Sequence, residues 1–191
     1  MKPGTLLLAK PFLGDDNFER SVVLLCRRDP AEGAFGLVLT QATDLVLTDA
    51  LDLPEAPDEL SGPLAPVRAL PLRAGGPVGP DTLHVVHQLA ELPGAAPLGQ
   101  GAYWGGDFEL LLAGLLSGAV GPDTVRLFVG YAGWAAGQLE DEIGRGSWIR
   151  QPASAGKVFT LEPEALWRAV LREKGGRYRA LANYPLDPRL N

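Results

Sequence analysis

The chain of 191 residues has one cysteine, one methionine and two histidines. A single cysteine, Cys26, excludes an intramolecular disulfide framework and any structural zinc site made of several thiolates. The histidines sit in Leu83-His84-Val85-Val86-His87, where the β-branched pair favours a strand. Residues three apart on a strand point to opposite faces, so the two cannot chelate one metal together. No metal and no cofactor are therefore expected. Long apolar runs are missing as well. Uncharged apolar stretches such as residues 110–122 and 127–139 fall well short of the roughly 20 residues a membrane helix needs. Only a short apolar stretch separates Lys2 from Lys10, too little for the core of a secretion signal. The expectation is a cytoplasmic protein with no membrane partner. Absent too are the GxxxxGKS/T phosphate loop, HExxH, the GxSxG elbow and a GxGxxG turn after a strand, which excludes the standard nucleotide and hydrolase sites.

What is present is ordinary in bulk, with 46% hydrophobic and 21% charged residues. Twenty-four glycines and 17 prolines lie between apolar runs and punctuate many short elements of one domain spanning 1–191. The balance of 17 Lys+Arg against 23 Asp+Glu gives a net charge of −6. A chain of that sign lacks the global field that draws a protein onto phosphate backbones, so direct DNA binding is not expected. The charge is uneven, however. From Arg168 onward stand six basic residues (Arg168, Arg172, Lys174, Arg177, Arg179, Arg189) against two acidic ones (Glu173, Asp187). A solvated helix face is the ordinary reading of that cluster, and contact with an acidic partner the functional one.

Apolar runs at 5–9, 21–27 and 34–40 read as strands, the last two joined by the hairpin chemistry of Asp29-Pro30-Ala31-Glu32-Gly33. Their near-continuous apolar character predicts cover on both faces. Cys26, inside the second run, is expected to be buried and inert. A turn falls at Asp15-Asp16-Asn17, one or two helical turns at 48–53, and a surface loop at 54–66, which carries four prolines. Residues 69–73, 83–87 and 125–129 read as further strands. Asp107 and Gly118 bracket a helix over 108–117 whose leucines cover most of its circumference, which predicts a central position. A helix follows over 138–143. Thr160 is the expected cap of a last helix with Pro163 in its first turn, Gly175 past its end and an apolar stripe of Leu166, Trp167, Val170 and Leu171. Irregular interspersion without βαβ alternation points to an α+β fold.

The richest segment is Gly130-Tyr131-Ala132-Gly133-Trp134-Ala135-Ala136-Gly137-Gln138-Leu139-Glu140-Asp141-Glu142-Ile143, read as a glycine-rich aromatic connection at 130–137 leading into a helix. Carboxylates there favour the positive end of the helix dipole, and Glu140 and Glu142 do not share a helical face. This segment resembles the signature of the YqgE/AlgH family of bacterial proteins. Leu6 to Ala9 with Pro11, Phe18, Arg20 and Ser21-Val22-Val23-Leu24-Leu25, Gly33-Ala34-Phe35-Gly36-Leu37-Val38-Leu39, Gly75-Gly76-Pro77-Val78, the histidine strand, Trp148 and Leu190-Asn191 fall in that family's order. Thr40-Gln41 stands where the family commonly has asparagine and proline, and Arg27-Arg28 where it often has a histidine. The resemblance implies an α+β domain with a branched mixed sheet that includes a small closed β-barrel, flanked by helices. Some of its members carry the label of transcriptional regulator.

Two functions follow as expectations. The preferred one is a non-enzymatic binding or regulatory protein with a protein or small-molecule partner. Its contact surface gathers Gly75, Gly76, Pro77, His87, Tyr131, Trp134, Gln138, Glu140 and Glu142. The other is a small-molecule enzyme using His87 with Glu140 or Glu142, which requires those groups within hydrogen-bond reach across a pocket. For the glycines, close packing alone is the competing explanation.

Overall fold

Among the described residues, ten strands and seven α-helices follow one another in the order β1 (Thr5–Ala9), β2 (Val22–Asp29), β3 (Gly33–Val38), β4 (Ala42–Val46), α1 (Leu47–Ala50), α2 (Asp58–Arg68), β5 (Pro71–Ala74), β6 (Val78–His87), β7 (Ala95–Gly99), β8 (Ala102–Gly105), α3 (Phe108–Ser117), β9 (Val125–Trp134), α4 (Gln138–Gly144), β10 (Trp148–Pro152), α5 (Ala155–Phe159), α6 (Pro163–Lys174) and α7 (Arg177–Leu181). The computed structural model describes residues 1–11, 17–53 and 58–184. The turn residues Asp15 and Asp16, the loop prolines Pro54 and Pro57, and Asp187, Arg189 and Leu190-Asn191 lie outside the described residues.

The hairpin of β2 and β3 forms where the sequence predicts it. Asp29 Oδ1 accepts from the N–H groups of Ala31 and Glu32 at 2.7 and 3.1 Å, which closes the turn. The sheet grows outward from this pair in the order β10-β1-β2-β3-β9-β6-β8-β7. β9 is the branch point. Along one edge its first half takes β5 in parallel and its second half takes β3 antiparallel, while β6 runs along the other edge. β4 joins the sheet through β5. The sheet is thus branched and mixed, as expected, but it curls only into an open half-barrel.

A closed barrel would need β10 and β7, the two ends of the path, to meet. The free edge of β10 is blocked against any further strand. Lys10 N–H donates to Ser147 O and Ala153 N–H to Gly4 O, so the alternation along β10 turns the carbonyls of Arg150 and Pro152 away from β1. Lys174 Nζ and Lys157 Nζ donate to those two carbonyls at 2.9 and 3.2 Å, and Pro152 has no N–H to offer.

Three apolar clusters hold the layers together. The first packs Leu6, Leu24, Leu37 and Phe128 on one face of the sheet against Leu166, Trp167, Val170 and Leu171 of α6. The second packs Leu7, Val23, Leu25 and Val38 on the opposite face against Leu139 of α4, with Trp134 and Trp148. β2 is therefore covered on both sides, as its composition predicts. The third sets Leu72, Val85 and Leu127 against Val67 of α2 and Leu111 and Leu115 of α3. Cys26 is 3% exposed, and burial pushes its thiol far above the ordinary range.

Several expectations need correction. Residues 58–66 of the expected loop fall within α2, so two prolines stand within that helix, and its buried Val67 anchors it on the third cluster. α3 is not central, because the sheet uses only one stripe of its leucines and Leu110 is 53% exposed. The cap of α6 is Glu162, followed by Pro163, rather than Thr160. β4, β7, β8 and β10 are not legible as strands, since segments of four or five residues are too short to display a clear alternation.

Candidate functional site

The signature segment is strand before it is connection. β9 runs on through Trp134, and only residues 135–137 link it to α4. The continuation depends on Gly130, whose φ of +69° is left-handed and comes beside a register shift in the β6–β9 pairing. The irregularity turns Tyr131 onto the face of Phe128, while Ala132 and Trp134 reach the opposite one. There Tyr131 joins Phe35, His84 and Trp104 in a half-buried aromatic group, with Phe35 ring centroids 4.7, 5.0 and 5.0 Å from the other three.

Gly75 and Gly76 meet the same bend from the other side. A Cβ on Gly75 would lie 2.2 Å from Gly130 O, and one on Gly76, at φ +147°, would lie 2.3 Å from the Tyr131 carbonyl carbon. These glycines are the contact between two backbones. Pro77 beside them is exposed.

Glu142 is the polar centre of the signature. Its Oε2 accepts from Trp134 Nε1 at 2.9 Å and Trp148 Nε1 at 2.7 Å, and its Oε1 accepts from Gln138 Nε2 at 3.0 Å. One carboxylate thus ties α4 to β9 and β10 and satisfies two indole donors that are partly buried. Glu140 leaves the other side of the helix and pairs with Arg28 Nε at 2.6 Å. The Arg28 hydrogen bond holds its carboxyl below the usual range. Arg28, one of the two arginines at the position where the family often has histidine, therefore braces α4 against the central hairpin.

His87 lies away from Glu140 and Glu142. It pairs with Val125 at the start of β9, whereas Val78 pairs with Tyr131 near its end. Six residues of β9 separate the two positions, roughly 20 Å of extended chain. The His87 ring is fully buried, bonds Gly105 O through Nε2 at 2.9 Å, and accepts from Leu89 N–H at Nδ1. Burial lowers its pKa, as it does that of His84. The structure does not bring His87 to Glu140 or Glu142, which hold their own partners.

A cleft with a volume of about 520 Å³ lies elsewhere, between β10, the end of α6 and α7. Lys2, Lys10, Arg150, Lys174 and Arg177 line it around Trp148, Ile149 and Tyr178, and no carboxylate side chain lines it among the described residues. None of these residues was singled out as a site from the sequence. The basic cluster after Arg168 was the available signal, for it contains Lys174 and Arg177. The other three cations are isolated in sequence and converge only in the fold. Among the described residues no group of three or more His, Cys, Asp or Glu side chains is placed to hold a metal ion, and no helix is long and apolar enough to cross a membrane.

Comparison with known proteins agrees with this architecture. A model described as AlgH-like matches residues 6–179. A UPF0301 protein of Chlorobaculum tepidum is 41% identical over 192 residues, spanning 100% of this chain and 96% of its own. Another, from Cytophaga hutchinsonii, is 40% identical over 190 residues and 98% of each chain. The solution structure of the AlgH protein from Pseudomonas aeruginosa superposes with a TM-score of 0.72 at 28% identity, covering 96% of this chain and 94% of that one. A crystal structure of a Corynebacterium diphtheriae protein gives a TM-score of 0.74 at 23% identity over 96% and 93% of the two chains, a likeness of fold.

Proposed function

The chain belongs to the AlgH-like family, and from that footing we propose that it is a binding or regulatory protein and not an enzyme built on the signature residues. The observation that carries this reading is the occupation of those residues by the framework. Glu142 holds three donors, Glu140 holds Arg28, and His87 holds Gly105 O at the far end of β6. A general acid or base must be able to reach a proton on its substrate, and these groups face their own partners. The cleft beside β10 offers the opposite chemistry, cations and an aromatic ring suited to holding an anionic ligand.

Of the contact surface expected from the sequence, Pro77, Gln138 and Glu140 keep exposed side chains for a protein partner, and Gly75, Gly76, Trp134 and Glu142 shape what lies behind them. The test is a metabolite screen on the full chain by ligand-observed NMR, followed over hours for new product resonances. Saturable binding with unchanged ligand spectra is the expected result. Turnover that survives Lys10→Gln and is abolished by Glu142→Gln in a folded variant would overturn the reading.

A further inference from the structure

We propose that the cleft beside β10 is a binding site for a small organic anion carrying two or more negative charges. The inference deepens the binding reading above and rests on it. Its first support is convergence. Lys10 just past β1, Arg150 on β10, Lys174 in the last turn of α6 and Arg177 in the first turn of α7 come from four separate elements to one cavity. A volume of about 520 Å³ falls within the range of small-molecule sites, and Trp148, Ile149 and Tyr178 give it an apolar floor.

The second support is that no carboxylate among the described residues forms an ion pair with these cations, in a chain of net charge −6. Elsewhere Arg27, Arg28, Arg145 and Lys157 each face a carboxylate. In the cleft, Lys174 donates to Arg150 O at 2.9 Å and Arg177 to the Tyr178 hydroxyl at 3.2 Å, both uncharged acceptors. Lys174 Nζ and the Arg177 guanidinium lie 5.0 and 5.1 Å from the Tyr178 ring centroid. The Tyr178 hydroxyl senses the resulting field. The Arg177 hydrogen bond, with the charges of Arg177, Lys174 and Lys10, holds it below the ordinary phenol range despite some loss of hydration.

The third support concerns what the cleft refuses. An acidic peptide would bind most naturally as an added strand on β10. The outward carbonyls of Arg150 and Pro152 are already taken by Lys174 and Lys157, and Pro152 cannot donate. The edge that remains offers donors and positive charge, which suits phosphate or carboxylate oxygens and not a backbone ladder.

Isothermal titration of the full chain at low salt tests this, with pyrophosphate and citrate as probes, chloride as the comparator and hexaglutamate as the peptide arm. Pyrophosphate or citrate is expected to bind one to one, at least tenfold more tightly than chloride and more tightly than hexaglutamate. Lys10→Gln/Arg177→Gln, and independently Arg150→Gln, should each weaken binding at least tenfold with the thermal midpoint retained. Arg27→Gln, outside the cleft, should leave it within twofold. The proposal is overturned if neither probe exceeds chloride, if Arg27→Gln weakens binding as much as the cleft variants, or if hexaglutamate binds best. An uncharged ligand from the metabolite screen, with no anion binding, would sink this inference and leave the binding reading standing. Turnover lost with Glu142→Gln would sink the binding reading itself.

Discussion

The signature segment and the cleft meet along β10, two residues apart, yet they are made of opposite materials. Trp148 gives its indole N–H to Glu142, whose carboxylate is shared among three donors, and Arg150 opens onto a cavity that no carboxylate lines among the described residues. One region is internally satisfied and the other is not. A satisfied polar group stabilises the fold and has little left for a ligand, whereas an uncompensated charge contributes little to the fold and stays available. The residues that stand out in the sequence as a motif therefore hold the framework together, and the five cations of the cleft converge only in three dimensions.

If that contrast holds, damage to the signature should cost stability and damage to the cleft should cost binding. Gly76→Ala is the harshest test, because the new Cβ would meet the Tyr131 carbonyl at 2.3–2.4 Å and the backbone at φ +147° cannot ease it. A loss of about 3 kcal/mol or more, or failure to fold, is expected in chemical denaturation. Glu142→Ala should come next, at about 2–3 kcal/mol, since it leaves two partly buried indole donors unmet. Glu142→Gln, able to accept but no longer charged, should recover part of that loss. Parity of Glu142→Ala with wild type would break the comparison outright.

A smaller effect distinguishes His87 as framework. Below its ordinary value of 6.5 the unfolded chain takes up a proton that the buried native ring resists. Stability should therefore fall as pH drops from 6.5 to the lowered native pKa and level off beyond it, at up to about 1.4 kcal/mol per pH unit. His84, shifted the same way, adds to the slope, and His87→Gln should flatten its share in denaturation curves taken across that range. The smallest expected change is that of Lys10→Gln/Arg177→Gln, whose stability should stay within about 0.5 kcal/mol of wild type because both side chains are exposed. A larger loss would place the cleft with the framework and erase the distinction.

Much of this was readable in advance. The β2–β3 hairpin, the caps of α3 at Asp107 and Gly118, the buried stripe of α6 and the burial of Cys26 follow from spacing and turn chemistry over a few residues. The contact set was read less well. Grouping His87 with Tyr131 and Glu142 assumed that blocks sharing a family pattern share a place, and six residues of β9 separate the pairing position of His87 from Tyr131. The helix across residues 58–68 escaped because proline content argued against it, while its packing depends on partners remote in sequence.

Sequence alone determined the fold class, the central hairpin, the α6 stripe and the family, since each rests on local periodicity or on motifs carried by contiguous residues. Only the tertiary structure decided that the half-barrel stays open, that the signature glycines separate two backbones, and that Lys2, Lys10, Arg150, Lys174 and Arg177 surround one cavity. Those facts depend on which distant segments are brought together, and the pairing of β1 with β10 joins the first residues of the chain to residues near 150.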